Sequence, residues 1–132
     1  MRFLYLFIIA FSMQLSTAQT VSEIDMLEGK ATAFQRKNND SLLFYGKEIL
    51  RKSSFIKYRK GIATAYKLLA LGNYYYSKND DALTYSYKAI RFYNKLPGND
   101  ESIADCYRII GNIALYNQKF EKAYYNIMKA KV

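Results

Sequence analysis

The chain has 132 residues, of which 51% are hydrophobic, and a formal net charge of +9 at pH 7; this length leaves room for about one small domain. It contains no histidine and a single cysteine, Cys106. This composition excludes a Ser-His-Asp triad, a Cys-His pair, an imidazole metal site and an internal disulfide. Its scattered glycines form no phosphate-binding loop. We therefore expect no enzyme, no metal and no other cofactor, and we interpret Cys106 as a buried thiol.

The start of the chain, at 1–18, has the pattern of a secretory signal peptide. Arg2 precedes the apolar run FLYLFIIAF at 3–11, and Ser16 and Ala18 are the small residues that a signal peptidase requires. The run is too short to cross the hydrocarbon layer of about 30 Å, which takes about 20 apolar residues in a helix. We expect cleavage after Ala18. This leaves a domain at 19–132, exported to the periplasm or the cell exterior, with no transmembrane helix.

The next segment predicts a first pair of helices. Its first helix is expected at 22–37, and NNDSLLFYGKEIL at 38–50 begins its second. The second segment resembles KNDDALTYSYKAI at 78–90. When position 40 is set against position 81, four residues fall on identical ones: Asp40, Leu42, Lys47 and Ile49 on Asp81, Leu83, Lys88 and Ile90, respectively.

A basic patch follows between positions 47 and 60, where cations alternate with Phe55, Ile56 and Tyr58. Its members are Lys47, Arg51, Lys52, Lys57, Arg59 and Lys60. The simplest interpretation is a solvated helix end and loop that attract acidic partners or lipid headgroups. Binding of an anionic ligand or nucleic acid is the alternative, although an exported protein seldom meets nucleic acid.

The rest of the chain contains an internal repeat. The segment 61–91 aligns without a gap on 102–132, an offset of 41 positions, and eight of the 31 pairs are identical. Small residues recur at Ala70 and Gly111, at Ala82 and Ala123, and at Ala89 and Ala130. Small side chains at such positions allow two helix backbones to approach to about 8 Å. Each unit therefore predicts two antiparallel helices joined by a polar turn.

Acidic residues mark the starts of two of these helices. Asp80-Asp81 and Asp100-Glu101 follow turn residues. Acidic side chains at a helix start are stabilised by the positive end of the helix dipole. Capping is therefore preferred over a catalytic carboxylate pair. Pro97-Gly98 ends the preceding helix, and Asn99, Asp100 or Ser102 caps the next one.

This pattern resembles the tetratricopeptide repeat (TPR). Tyr66 and Tyr107 take the place of the large aromatic of its first helix, and Leu69-Ala70 and Ile110-Gly111 take the place of its Leu-Gly pair. The recurring alanines match the two alanines of its second helix, and Phe120 matches its turn aromatic, where the earlier unit has Asn79. The resemblance implies an all-α solenoid of antiparallel helix pairs with a right-handed superhelical twist. About three repeats are expected, at 20–57, 61–98 and 102–132.

The resemblance also implies a concave groove that binds a protein or peptide. Its predicted lining is Thr64, Lys67, Leu71, Tyr74, Tyr75, Asp105, Arg108, Asn112, Leu115 and Tyr116. Lys67 and Arg108 occupy equivalent places and suit an acidic segment. The recurrence of Tyr75 as Tyr116 leaves two interpretations, contact with a ligand or filling of gaps between helices.

The last helix lacks a covering element in these residues, because Tyr124, Ile127 and Met128 are followed by no capping helix. We expect self-association through this helix, or a longer chain. A signal peptide followed by such repeats resembles the extracytoplasmic input region of bacterial histidine kinases and membrane-bound regulators. The sequence thus predicts a peptide-binding scaffold that serves as the sensor of a signalling protein. The alternative is an assembly adaptor in a secreted or envelope complex.

Overall fold

The computed structural model describes residues 2–35 and 37–130, with side chains described at residue 14 and from residue 16 onward. These residues form six helices and no strand: α1 Arg2–Phe34, α2 Asn39–Phe55, α3 Arg59–Tyr75, α4 Asn79–Tyr93, α5 Asp100–Tyr116 and α6 Phe120–Lys129. The prediction of an all-α protein is confirmed. None of these helices is both long and apolar enough to span a membrane. The predicted cleavage point, Ala18, lies within α1.

The helices pack in the order of the chain. Each helix packs against the next one along the chain, and α3 also contacts α1 and α5. Within the described part of the chain, α2, α4 and α6 do not contact one another. The odd-numbered helices therefore form one layer with α3 between α1 and α5, and, among the described helices, each even-numbered helix packs only against its neighbours along the chain.

Three connections between helices close in the same way. The second residue after α2, α3 and α5 has a positive φ, at Lys57 (55°), Ser77 (58°) and Gln118 (58°). The amide of the following residue donates to the carbonyl five positions earlier, from Tyr58 to Ser53, from Lys78 to Asn73 and from Lys119 to Ala114. This is the Schellman closure of a helix C-terminus, usually made with glycine. These turns contain no glycine, so the ends of α2, α3 and α5 were harder to predict from the sequence. The end of α4 was easier, because Gly98 (φ 70°) follows it.

The spacing of helices agrees with the offset of 41 in the second half of the chain. Helices α3 and α5 begin at Arg59 and Asp100, and helices α4 and α6 begin at Asn79 and Phe120. From Asn39 of α2 to Asn79 of α4 the offset is only 40, because α2 and the connection after it are together one residue shorter than α4 and its connection. The predicted offset of 41 for α2 is therefore wrong by one position. The buried residues of α2, Leu42, Gly46, Ile49 and Ser53, match Ala82, Ser86, Ala89 and Tyr93 of α4 instead.

The helix starts follow the predictions in part. Asp80-Asp81 and Asp100-Glu101 lie in the first turns of α4 and α5, where their negative charges interact favourably with the helix dipole. Asn99 precedes α5 as predicted, but its side-chain amide donates to the carbonyl of Pro97 (2.8 Å) and does not cap the helix. The first helix, predicted at 22–37, begins instead at Arg2 and ends at Phe34. The side chain of Asn38 caps α2 by accepting from the amide of Ser41 (3.0 Å).

The recurring small residues lie at the closest contacts between helices. Ala70, Ala82, Ala89 and Ala123 are fully buried. A Cβ atom added to Gly111 would lie 2.8 Å from Cγ1 of Ile127 and 3.4 Å from its backbone nitrogen. Glycine is therefore needed where α5 crosses α6, as the sequence predicted. Cys106 is fully buried, and burial raises the pKa of its thiol to about 12. This agrees with a structural cysteine rather than a reactive one.

Candidate functional site

A cavity of about 110 Å³ lies between α1, α3 and α5; we call it the polar cavity. Because α3 contacts both other helices, side chains from three consecutive odd-numbered helices converge on one space. Its lining consists of Glu28, Thr32 and Gln35 from α1 and its end, Thr64, Lys67, Leu68 and Leu71 from α3, and Asp105, Arg108 and Ile109 from α5. Five of the predicted groove residues lie here.

The charges of the polar cavity are balanced. Arg108 Nη2 donates to Asp105 Oδ1 at 2.7 Å, and Lys67 Nζ donates to Ser102 Oγ at 3.2 Å. Glu28 makes no ion pair with any described residue. Two cations thus face two carboxylates, so the predicted preference for an acidic segment is not supported by net charge. The Arg108–Asp105 pair is partly exposed, and such pairs contribute at most about 1 kcal/mol. A ligand carboxylate can therefore compete with Asp105 for the guanidinium.

Thr64 forms the floor of the polar cavity. Only 2% of its surface is exposed, and its hydroxyl lies 3.1 Å from the hydroxyl of Tyr93. Burial raises the pKa of Tyr93 to about 12, so this hydroxyl stays protonated near neutral pH. The Thr64 hydroxyl is therefore used inside the protein, and we remove it from the groups that are free to bind a ligand.

A second cavity, of about 310 Å³, follows along the same two helices; we call it the tyrosine cavity. Its lining is Tyr74, Tyr75, Ser77, Asn79, Asn112, Ile113 and Tyr116. The rings of Tyr74 and Tyr75 are 5.8 Å apart at an interplanar angle of 47°. Tyr116 is 80% exposed. Tyr75 and its counterpart Tyr116 thus border one space, as the repeat alignment predicted, and the polar and tyrosine cavities together form what we call the groove.

Two groups of residues depart from the predicted groove. Leu115 is 43% exposed but lines neither cavity. Glu28, Thr32 and Gln35 line the polar cavity but were not predicted, because their helix matched the other repeats poorly. The third tyrosine of the run, Tyr76, points elsewhere, and its hydroxyl donates to Asp40 Oδ1 at 2.5 Å. This bond ties the end of α3 to the start of α2.

The predicted basic patch is partly neutralised. Arg51 pairs with Glu48 at 2.9 Å, and Lys52 pairs with Glu23 of α1 at 2.8 Å. The hydrogen bond to Arg51 lowers the pKa of Glu48, which keeps that carboxylate charged. The other four members, Lys47, Lys57, Arg59 and Lys60, are exposed. They share no cavity with the groove residues.

The exposed apolar face predicted for the last helix is present. Tyr124 is 70% exposed and Met128 is 47% exposed, whereas Ile127 is partly buried against Gly111. Phe120, at the start of α6, is 67% exposed. Positions 131 and 132 lie outside the described part of the chain, so this face is defined up to Ala130.

Neither protein-family models, curated proteins nor solved structures match this chain. Its geometry is therefore the basis for any functional assignment. Among the described residues, no cluster of three or more cysteine or acidic side chains is placed to hold a metal ion.

Proposed function

We propose that this chain is a TPR-like solenoid of about three repeats that binds a protein or peptide segment in its groove and catalyses no reaction. One observation carries this proposal. Nine of the ten residues that the resemblance assigns to the ligand-binding surface line the polar and tyrosine cavities. These cavities follow each other along α3 and α5, as the concave surface of stacked helix pairs requires.

Equivalent contacts in the second and third units support the repeat. The ammonium of Lys88 lies 5.5 Å from the ring centre of Tyr66, and that of Lys129 lies 5.0 Å from the ring centre of Tyr107. Both residues of the second pair lie at the repeat offset from those of the first. The matching turn residues Ser77 and Gln118, with φ of 58° each, have the same spacing. The layer of odd-numbered helices is also the arrangement expected of a helix-pair solenoid.

The groove suits an extended segment with two different anchors. The polar cavity offers charged partners of both signs, and the tyrosine cavity offers aromatic faces and the amides of Asn79 and Asn112. Neither amide makes a side-chain hydrogen bond with another described residue, so both can pair with a peptide backbone. Lys67 and Tyr74 are two helical turns apart on α3, or about 10 Å along its axis. An extended chain covers that distance with about three residues.

The biological setting follows from the resemblance and from the predicted signal peptide. The proposed role is the extracytoplasmic sensor of a signalling protein, in the periplasm or outside the cell. The alternative is an adaptor in a secreted or envelope complex, which self-associates through the exposed face of α6. Reading the gene beyond Val132 separates them, because a sensor continues into a transmembrane helix and an output domain.

Peptide display against the full chain tests the groove. A random peptide library is selected on the protein, and the selected peptides are measured against Tyr75→Ala/Arg108→Ala. The control, Tyr124→Ala/Lys57→Ala, also removes one tyrosine ring and one cation, but both lie outside the groove. We expect at least about tenfold weaker binding for the groove variant and helical circular dichroism unchanged in both. Equal binding by the groove variant and the wild type would refute the groove as the binding surface.

Binding of nucleic acid through the 47–60 patch is the remaining candidate. It predicts retardation of DNA or RNA with a steep dependence on salt concentration. It also predicts loss of retardation in Lys57→Glu/Arg59→Glu/Lys60→Glu, since these three exposed cations make no ion pair with a described residue. Absence of retardation at low salt would exclude it.

A further inference from the structure

A second cleft, outside the groove, lies between α3 and the C-terminal half of α4. It has a volume of about 300 Å³ and is lined by Tyr66, Lys88, Arg91, Phe92 and Lys95; we call it the basic cleft. It shares no lining residue with the groove. Three of its five lining residues are cations and none is acidic. Within the described part of the chain, none of the three cations forms an ion pair.

Aromatic rings form the walls of the basic cleft. The ring centres of Tyr66 and Phe92 are 5.8 Å apart, and Tyr85 also stacks on Tyr66 at 6.0 Å. The ammonium of Lys88 lies 5.5 Å from the ring centre of Tyr66 and 5.6 Å from that of Tyr85. These cation–π contacts hold Lys88 in place without neutralising its charge. Its N–H donors therefore remain suited to an anion.

Comparison with α2 shows that a cation at the place of Lys88 is not common to all even-numbered helices, although α6 has Lys129 at the equivalent position. At the spacing that relates Asn39 of α2 to Asn79 of α4, Glu48 corresponds to Lys88 and Arg51 corresponds to Arg91. In α2 the two side chains form an ion pair of 2.9 Å. In α4 the same positions hold two cations on neighbouring turns of one helix face, where like charges repel each other. A bound anion would relieve this repulsion.

The helix dipole accounts for only part of this arrangement. Cations near a helix C-terminus are favoured by the dipole, and this explains Arg91 in the last turn of α4. The effect is confined to about one turn. Lys88 lies farther from the end, and the aromatic walls contribute nothing to the dipole.

We propose that the basic cleft binds a ligand that carries a phosphate group attached to a ring or another apolar group. The guanidinium of Arg91 can bind two phosphate oxygens at once, and Lys88 and Lys95 add point charges. Tyr66 and Phe92 cover the apolar part of the ligand. The volume lies at the lower end of the range for small-molecule sites. A free mononucleotide and a phospholipid headgroup share this chemistry.

Titration calorimetry at low salt tests the proposal with three probes: AMP, inorganic pyrophosphate, and phosphatidylcholine vesicles with or without phosphatidic acid. The cleft variant Arg91→Gln/Lys95→Gln is compared with Lys30→Gln/Lys37→Gln, which loses the same net charge at exposed positions outside the groove, the basic patch and the basic cleft. We expect at least about tenfold weaker binding of AMP or of acidic vesicles by the cleft variant, and less than about twofold weakening by the control. Lys88→Glu, which recreates the charge pattern of α2, should weaken binding to a similar extent without loss of helicity.

The outcomes separate the sources of the phosphate. Tighter binding of AMP than of pyrophosphate assigns the ring to the aromatic walls, and binding of acidic vesicles alone assigns the site to a lipid headgroup. Absence of binding by all three probes, or equal weakening by the control variant, would overturn the proposal. The groove variant Tyr75→Ala/Arg108→Ala should bind the probes normally, so failure of the peptide-binding function leaves this result unaffected.

Discussion

Gly111 offers a direct test of how closely α5 and α6 approach. Replacing a glycine inside a helix with alanine should stabilise the helix by about 0.8–1 kcal/mol. At Gly111, however, the added Cβ would lie 2.8 Å from Ile127 Cγ1 and 3.4 Å from the Ile127 backbone nitrogen. The second distance is an ordinary van der Waals contact, but the first is too short for two carbon atoms, so the Ile127 side chain must shift within the contact between α5 and α6. Overpacking of this kind costs about 1–3 kcal/mol, so we expect Gly111→Ala to lower the free energy of unfolding by about 1 kcal/mol.

A second substitution should reverse the sign of this effect. Ile127→Ala removes the Cγ1 atom, and Gly111→Ala in that background should raise the free energy of unfolding by about 0.5 kcal/mol. The chain already contains such a pair in its second unit, where Ala70 and Ser86 occupy the positions equivalent to Gly111 and Ile127. The expected coupling energy of about 1.5 kcal/mol lies within the range for residues in contact.

Urea unfolding followed by circular dichroism in the far ultraviolet measures all four members of this cycle. The control is Gly29→Ala in α1, where an added Cβ meets nothing within 4 Å. It should stabilise the protein by about 0.8 kcal/mol. If Gly111→Ala stabilises the wild type as much as Gly29→Ala does, or if the cycle shows no coupling, the close crossing of α5 and α6 is refuted.

Three further predictions concern a turn, a buried hydroxyl and the buried thiol. Ser77→Gly should raise the free energy of unfolding by about 0.5–1 kcal/mol, because Ser77 has a φ of 58° that glycine adopts without strain, whereas Ser77→Ala should give no gain; urea titrations of both compare them. Ser86→Ala should also stabilise, by about 1 kcal/mol, because the fully buried Ser86 Oγ has no hydrogen-bond partner among the described residues; a loss of stability in the same titration would contradict this. The pKa of Cys106, raised from 9.0 to about 12, keeps the folded thiol protonated. Unfolding free energy should therefore fall as pH rises from about 9 to about 12, by up to about 1.4 kcal/mol per pH unit, and the slope should be smaller in Cys106→Ala.

The sequence predicted the helices whose small residues recur at a fixed spacing. Ala70 and Gly111, or Ala82 and Ala123, mark contacts where a backbone must approach another, and few residue types fit such positions. Because of this constraint, the offset of 41 could be recognised in the sequence of α3 to α6. It failed by one position for α2, because the comparison followed identities that included the exposed Asp40 and Lys47. The buried positions would have given the offset of 40.

The contribution of α1 to the polar cavity could not be predicted from the repeat. Glu28, Thr32 and Gln35 lie on or just after a helix that matches neither α3 nor α5 in sequence, so no equivalent positions identified them. Their place in the cavity depends on the contact between α1 and α3. That contact is tertiary, and it involves the core residues Ile24 and Ala31, which belong to the same cluster as Ala65 and Leu68.

The sequence also did not show which cations are neutralised and which ones line a cleft. The denser basic segment lies at 47–60, but Glu23 and Glu48 neutralise two of its members. Lys88, Arg91 and Lys95 are spread over two turns and look like a solvated helix face. Only the packing of Tyr66 against Phe92 shows that these cations line a cleft.

The tyrosine-rich composition of α3 follows from its central position. This helix contacts α1, α2, α4 and α5, so nearly every direction around its axis meets another part of the protein. Successive helical residues differ by about 100°. Tyr66 therefore lines the basic cleft, whereas the next residue, Lys67, lines the polar cavity. In the same way, Tyr74 and Tyr75 line the tyrosine cavity, whereas the hydroxyl of Tyr76 donates to Asp40. Tyrosine suits such a helix because its ring packs between helices while its hydroxyl reaches water or a polar partner. In a helix with one solvated face, some of these rings would be exposed to water with nothing to pack against.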